Sequence, residues 1–223
     1  MRASQPTIIT AINNVKSILQ RAGLLYDYND CIAERVAQGK VRVTWSTATT
    51  RPDLTDIPDS NIKEYLIYLS GRHFNFQLFD GSLIQISYDI KSGSIVQSRL
   101  VWFPCPVSFE PEELEYASLE ELIRTAPNEN IHCRAPLRFD YAPHQAADNH
   151  SSTHVHLGME NFRLPVQRPM EPRRFIRFIV RTAYPDVWSS PEFIRDDVEN
   201  WSAQDRLDED DKIYGSLNWN IPI

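Results

Sequence analysis

His73-Phe74-Asn75-Phe76-Gln77-Leu78-Phe79-Asp80-Gly81-Ser82-Leu83-Ile84-Gln85-Ile86-Ser87-Tyr88-Asp89-Ile90 sets the architecture of this chain. Two runs with an apolar period of two meet at Asp80-Gly81: Phe74, Phe76 and Leu78 before it, and Ile84, Ile86, Tyr88 and Ile90 after it. Such alternation marks strands with one buried face, and Asp-Gly favours a two-residue type I′ turn with positive φ at both positions. Turn signals recur at strand-length intervals on either side, at Ser70-Gly71 and at Lys91-Ser92-Gly93. The spacing predicts an antiparallel meander of four strands, residues 64–69, 73–79, 82–90 and 94–103, ended by Pro104 and Pro106.

Outward from the meander the period changes. Ile8, Ile12, Val15 and Leu19 recur at helical steps between Pro6 and Gly23, which suit a first turn and a C-terminal stop. Residues 47–60, with Pro52 and Pro58, carry no period and read as a loop. Ser118-Leu119-Glu120-Glu121 has the form of a capping box before a short helix that buries Leu119, Leu122 and Ile123. Residues 134–141 and 153–157 alternate again and suggest a second hairpin across a polar loop. Phe175, Phe178, Ile179 and Thr182 follow Pro172 as a helical stripe, and Ser190-Pro191-Glu192 opens another helix with Phe193, Ile194, Val198 and Trp201. With no repeat and no long linker, the expectation is one α+β domain over residues 1–223. In it a helical part and loop (1–60) precede an antiparallel sheet (61–166) and C-terminal helices (167–223).

Composition bounds the function classes. The 223 residues carry 23 Lys plus Arg against 30 Asp plus Glu, a formal charge of -7, which excludes a globally basic nucleic-acid binder. The seven glycines allow neither a dinucleotide-binding fingerprint nor a phosphate loop. Cys31, Cys105 and Cys133 are odd in number and far apart, so reduced thiols are expected rather than a disulfide framework or a zinc ribbon. No stretch approaches a membrane span or a signal peptide's apolar core, and a cytoplasmic chain without a cofactor is expected.

Four of the six histidines, His144, His150, His154 and His156, fall within thirteen residues. On a strand, His154 and His156 share one face and Val155 and Leu157 the other. Arg138 and Asp140 likewise oppose Leu137, Phe139 and Tyr141. Pairing the two segments collects Arg138, Asp140, His154 and His156 into one polar patch. Three readings of the patch stand open. Two imidazoles and a carboxylate can hold a metal ion. The same groups can supply a base and an acid, with Asp orienting a ring and Arg stabilising phosphoryl charge, as RNA cleavage by 2′-OH attack requires. Or the patch is a polar surface without chemistry. Arg163, a few residues on, can return to it as a phosphate ligand or tie a loop to a carboxylate.

Arg138-Phe139-Asp140-Tyr141, then Ser152-Thr153-His154-Val155-His156-Leu157-Gly158, Arg163-Leu164-Pro165-Val166, Pro172 and Phe175-Ile176-Arg177-Phe178-Ile179 resemble the hallmark string of an uncharacterised bacterial family known as a domain of unknown function. Asp80-Gly81-Ser82-Leu83-Ile84-Gln85 and Arg99-Leu100-Val101-Trp102-Phe103-Pro104 extend the likeness over roughly residues 65–188. It implies a bacterial, soluble α+β protein and no particular activity. A shorter segment, Arg138 to His144 followed by His154-Val155-His156, is similar to the R-x-D-N-x-P-H and H-x-H pattern of small ribonuclease-like toxins of toxin-antitoxin pairs. Tyr141 stands where those toxins carry Asn.

Arg173, Arg177 and Arg181 fall at i, i+4 and i+8, with Arg174 beside them, as a basic ridge suited to an anion or an acidic partner. Residues 192–211 hold nine acidic side chains against two arginines, so they can cap that ridge or bind a partner themselves. Trp188, Trp201 and Trp219 are read as packing residues. The leading expectation is a conflict, antiphage or toxin-antitoxin component with a metal-independent ribonuclease-like site at His154, His156, Asp140, Arg138 and Arg163, with RNA and a protein as partners. The alternative is a non-catalytic subunit docked through the ridge or the acidic segment.

Overall fold

The computed structural model describes residues 3–46, 62–146, 151–158, 161–189 and 216–217. In chain order these form α1 (Gln5–Arg21), β1 (Leu25–Tyr28), β2 (Cys31–Val36), β3 (Lys40–Trp45), α2 (Ile62–Ser70), β4 (Phe76–Leu78), β5 (Leu83–Lys91) and β6 (Ser94–Phe103). Then follow α3 (Leu119–Thr125), β7 (Leu137–Tyr141), β8 (Thr153–Leu157), β9 (Leu164–Pro165), α4 (Pro172–Ala183) and α5 (Pro185–Trp188). The fold is α+β, with one nine-stranded sheet ordered β1-β4-β5-β6-β7-β8-β9. Strand β3 pairs with the far end of β5, on the edge whose near end pairs with β4, and β2 flanks β3. All these pairings are antiparallel.

Helix α1 follows its sequence pattern. Ser4 Oγ accepts from the Thr7 amide at 3.3 Å, Pro6 lies in the first turn, and Ile8, Ile12, Val15 and Leu19 are buried together with Ala11 and Ile18. Ser118 likewise caps α3 through the Glu121 amide, burying Leu119 and Ile123. In α4 the buried stripe is Phe175, Ile176, Ile179 and Val180, while Thr182 faces solvent.

Three expectations need correction. The meander has three strands, not four, because residues 62–70 form helix α2. Tyr65 and Tyr68, three apart, are buried and Ile67 is exposed, so the helical period holds where a period of two seemed to run. Residues 25–45, expected as helix and loop, are three strands. Their alternation is faint because β2 is an outer strand with no fully buried residue. Asp80-Gly81 does not form a type I′ turn. Only Gly81 has positive φ, and the hairpin closes through Gly81 N–H to Leu78 C=O (2.9 Å) while Asp80 accepts from the Ser82 amide (2.9 Å). Pairs of positive φ values are at Ser92-Gly93, where β5 turns into β6, and at Gln38-Gly39, where β2 turns into β3. The expected loop over residues 47–60, the expected helix from Ser190, the acidic segment 192–211, His150, Trp201 and Trp219 all lie outside the described residues.

Two apolar clusters sit on opposite faces of the sheet. On one, α1 and α4 cover Ile84, Ile86, Tyr88, Leu100, Leu137, Phe139, Tyr141 and Val155. Phe139 meets Phe175 and Phe178 edge-on at 6.0 and 5.6 Å, and Tyr88 Oη donates to Met170 C=O at 2.7 Å. On the other, α2 and α3 bring Tyr65, Tyr68, Leu119 and Ile123 onto Leu83, Phe103 and Cys105. Tyr65 Oη also donates to the Gly81 carbonyl, tying α2 to the hairpin turn.

Candidate functional site

Register builds the site on the face that α2 partly covers. Directly paired residues point to the same side of a sheet. Arg99 of β6 stands opposite Asp140 of β7, which stands opposite His154 of β8. In the next row of that face Val101 opposes Arg138, which opposes His156. Strand β9 pairs Pro165 with His154 and Leu164 with Val155, so the chain just before it brings Arg163 to the level of His156. The patch expected from the two hairpin strands is therefore assembled, and two arginines from neighbouring segments join it.

Asp140 is its centre. Arg99 Nε donates to Oδ1 at 3.0 Å, and Arg138 Nε lies 3.0 Å from Oδ2. The same Oδ2 is 3.6 Å from His156 Nε2 and 3.9 Å from His154 Nε2. The two imidazoles meet edge to face, centroids 4.8 Å apart. The four groups of the hairpin patch are nearly covered: Arg138 is 9% exposed, Asp140 7%, His154 2% and His156 5%. Burial works against the Asp140 carboxylate, but Arg99 and Arg138 outweigh it and hold the carboxyl below its ordinary pKa. The site thus keeps its anion.

The histidines are not equivalent. His154 Nδ1 lies 2.8 Å from Ser151 C=O. A carbonyl only accepts, so Nδ1 carries the proton in that contact and Nε2 is the basic nitrogen. His156 Nδ1 is buried without a hydrogen-bond partner. Burial, and after it the charge of Arg138, with Arg163 adding in the same sense, depress the His156 pKa to about 3. At neutral pH this ring is uncharged.

Asp140, His154 and His156 present three donor atoms within 4.8 Å of one another, a set that can surround a metal ion. The charges do not suit one. Two guanidiniums already over-compensate the single carboxylate, and Arg163 acts on the same groups, so a dication would enter a positive environment. The buried carboxylate Glu64 and Tyr68 of α2 close this side: Tyr68 Oη donates to Glu64 Oε1 at 3.3 Å, and Arg99 and Arg138 act on the Tyr68 hydroxyl. With Glu64 counted, Arg99, Arg138 and Arg163 still exceed the carboxylates by one. The balance favours an anion.

Sequence reasoning missed Arg99, Glu64 and Tyr68. The alternation of β6 already put Arg99 on a face with Val101, but only the pairing of β6 with β7, about forty residues away, sets it against Asp140. Tyr68 was hidden by the strand reading of α2. Conversely, the structure does not bring the arginine ridge to the site. Helix α4 packs on the opposite face of the sheet, with Arg173, Arg174 and Arg177 half-buried and Arg181 exposed. The Arg177 and Arg181 guanidiniums lie 5.3 and 6.0 Å from the centre of the Trp188 ring, which makes Trp188 a packing residue for them. His144 is exposed in the turn after β7, and Tyr141 faces the apolar core. Among the described residues no helix is long and apolar enough to cross a membrane.

No curated protein and no solved structure matches this chain significantly. A family match covers residues 24–218, from the first strand past the arginine helix, and the chain belongs to the family of uncharacterized conserved proteins designated DUF2290.

Proposed function

We propose that this protein cleaves RNA phosphodiesters without a metal ion, as the effector of a bacterial conflict, antiphage or toxin-antitoxin system in the cytoplasm. The reading is carried by one observation: two imidazoles in contact at 4.8 Å beside a carboxylate that two arginines grip. His154 Nε2 is the base for the 2′-hydroxyl, and Asp140 stabilises the imidazolium that forms. Arg138, Arg99 and Arg163 stabilise phosphoryl charge. Burial and the charge of Arg138 keep His156 neutral, and a bound phosphate supplies the negative charge that favours its protonation, so the acid forms with substrate in place. The likeness to H-x-H toxins supports the same chemistry. The ridge of Arg173, Arg174, Arg177 and Arg181, on the far face from the site, suits an acidic partner protein of such a system, or docking alone in the alternative reading.

Expression of wild type and of a His154→Ala/His156→Ala double variant, with cellular RNA run on a gel in the presence and absence of EDTA, tests the reading. Wild type should degrade RNA in both conditions and the variant at least a hundredfold more slowly. RNA equally intact with both proteins rejects cleavage, and cleavage abolished by EDTA rejects the metal-free mechanism.

A further inference from the structure

The site's own groups define how much of a substrate can reach them. The sheet is its floor, α2 stands over one side, and Arg138, Asp140, His154 and His156 on β7 and β8 have 11%, 8%, 3% and 6% of their side chains exposed. The less covered members are Arg99, with 15% of its side chain exposed, and half-buried Arg163. Two buried nitrogens in this group lack partners: His156 Nδ1 and Arg163 Nε. Unpaired buried polar atoms are costly unless a ligand completes them, and phosphate oxygens can accept from both once the ring is protonated.

We propose that this site admits a phosphate that carries at most one long arm, the last linkage of a strand or the phosphate of a single nucleotide, and not an internal phosphodiester. The inference rests on the phosphodiester reading above and narrows its substrate. An internal phosphate carries two polynucleotide arms, and both must leave the covered site. A terminal linkage carries one long arm, which can leave past Arg163 and Arg99. At the last linkage of a strand the 2′-oxygen bonds to phosphorus as its proton passes to His154 Nε2. The bond from phosphorus to the 5′-oxygen breaks, and that oxygen takes a proton from protonated His156. A 2′,3′-cyclic phosphate and a free nucleoside result.

The test compares one RNA sequence in linear and in covalently circular form, with uridine 3′-monophosphate binding followed by calorimetry. The linear RNA should shorten stepwise from one end, and the circle should be cut at least tenfold more slowly. Uridine 3′-monophosphate should bind, with Arg163→Gln weakening it about tenfold at an unchanged melting temperature. A circle cut as fast as the linear strand overturns the inference and leaves RNA cleavage standing. Uncut RNA together with Arg163-dependent nucleotide binding supports the single-phosphate site and removes the cleavage reading. Uncut RNA without nucleotide binding overturns both.

Discussion

Strands β7 and β8 bury both of their faces, and the two faces are built on opposite principles. On one, Leu137, Phe139, Tyr141 and Val155 join the apolar cluster that α1 and α4 cover. On the other, at similar depth, lie Arg138, Asp140, His154 and His156. The first face needs no explanation beyond the hydrophobic effect. The second takes charges out of water, which costs several kcal/mol per ion before ion pairing offsets it, and replacement of such groups by apolar residues is often neutral or stabilising. A sheet that wanted only stability had a cheaper solution in the same positions. The difference separates a face explained by folding from one whose arrangement points to a ligand.

The comparison breaks most visibly at Phe139, which touches two rings of α4. Phe139→Ala should destabilise the protein by about 4 kcal/mol in urea unfolding, through lost transfer energy and a cavity. That loss should be the same at pH 5 and pH 8. Asp140→Asn keeps the shape of its side chain but leaves Arg99 and Arg138 without their anion, and should cost about 3 kcal/mol at neutral pH. Because the Asp140 carboxyl is held below its ordinary pKa, its contribution is present above that ordinary value and is lost as pH falls through the depressed one. A negligible cost of Asp140→Asn at neutral pH would mean that the polar face is not held by this pair at all.

Legibility followed the same division. The helix α1, the paired strands β5 and β6, and the two rows of β7 and β8 could be read because each has a strong period with one apolar face, so local pattern and tertiary burial agree. The outer strand β2 could not, since burial never enforced its alternation. Helix α2 failed for the opposite reason: Tyr65, Ile67 and Leu69 offer a period of two, and only packing on Leu83 and Phe103 selects Tyr65 with Tyr68. At the site, side chains on one hairpin were legible from spacing. Arg99 and Tyr68 were not, because they arrive by pairing and packing across distant segments, where a single sequence carries no register signal.

The smallest effect sharpens the comparison further, because it belongs to His156 alone. Its ordinary pKa of 6.5 falls to about 3 in the folded chain. As pH drops below about 6.5 the unfolded chain binds a proton on this ring and the folded chain does not, so the unfolded state gains and stability falls. Above about 6.5 neither state binds it and the contribution is constant. The sign is therefore a loss on acidification, beginning near 6.5 and ending near 3, and carboxylates add to it only toward the acid end. Between pH 7 and pH 5 the effect should reach about 1 kcal/mol at most, after allowing for solvent screening. Urea unfolding of wild type and His156→Gln across that interval reads it directly. The variant should lose less stability than wild type by that amount, whereas equal slopes would mean that burial and the arginines do not act on the ring, and that the polar face is wet.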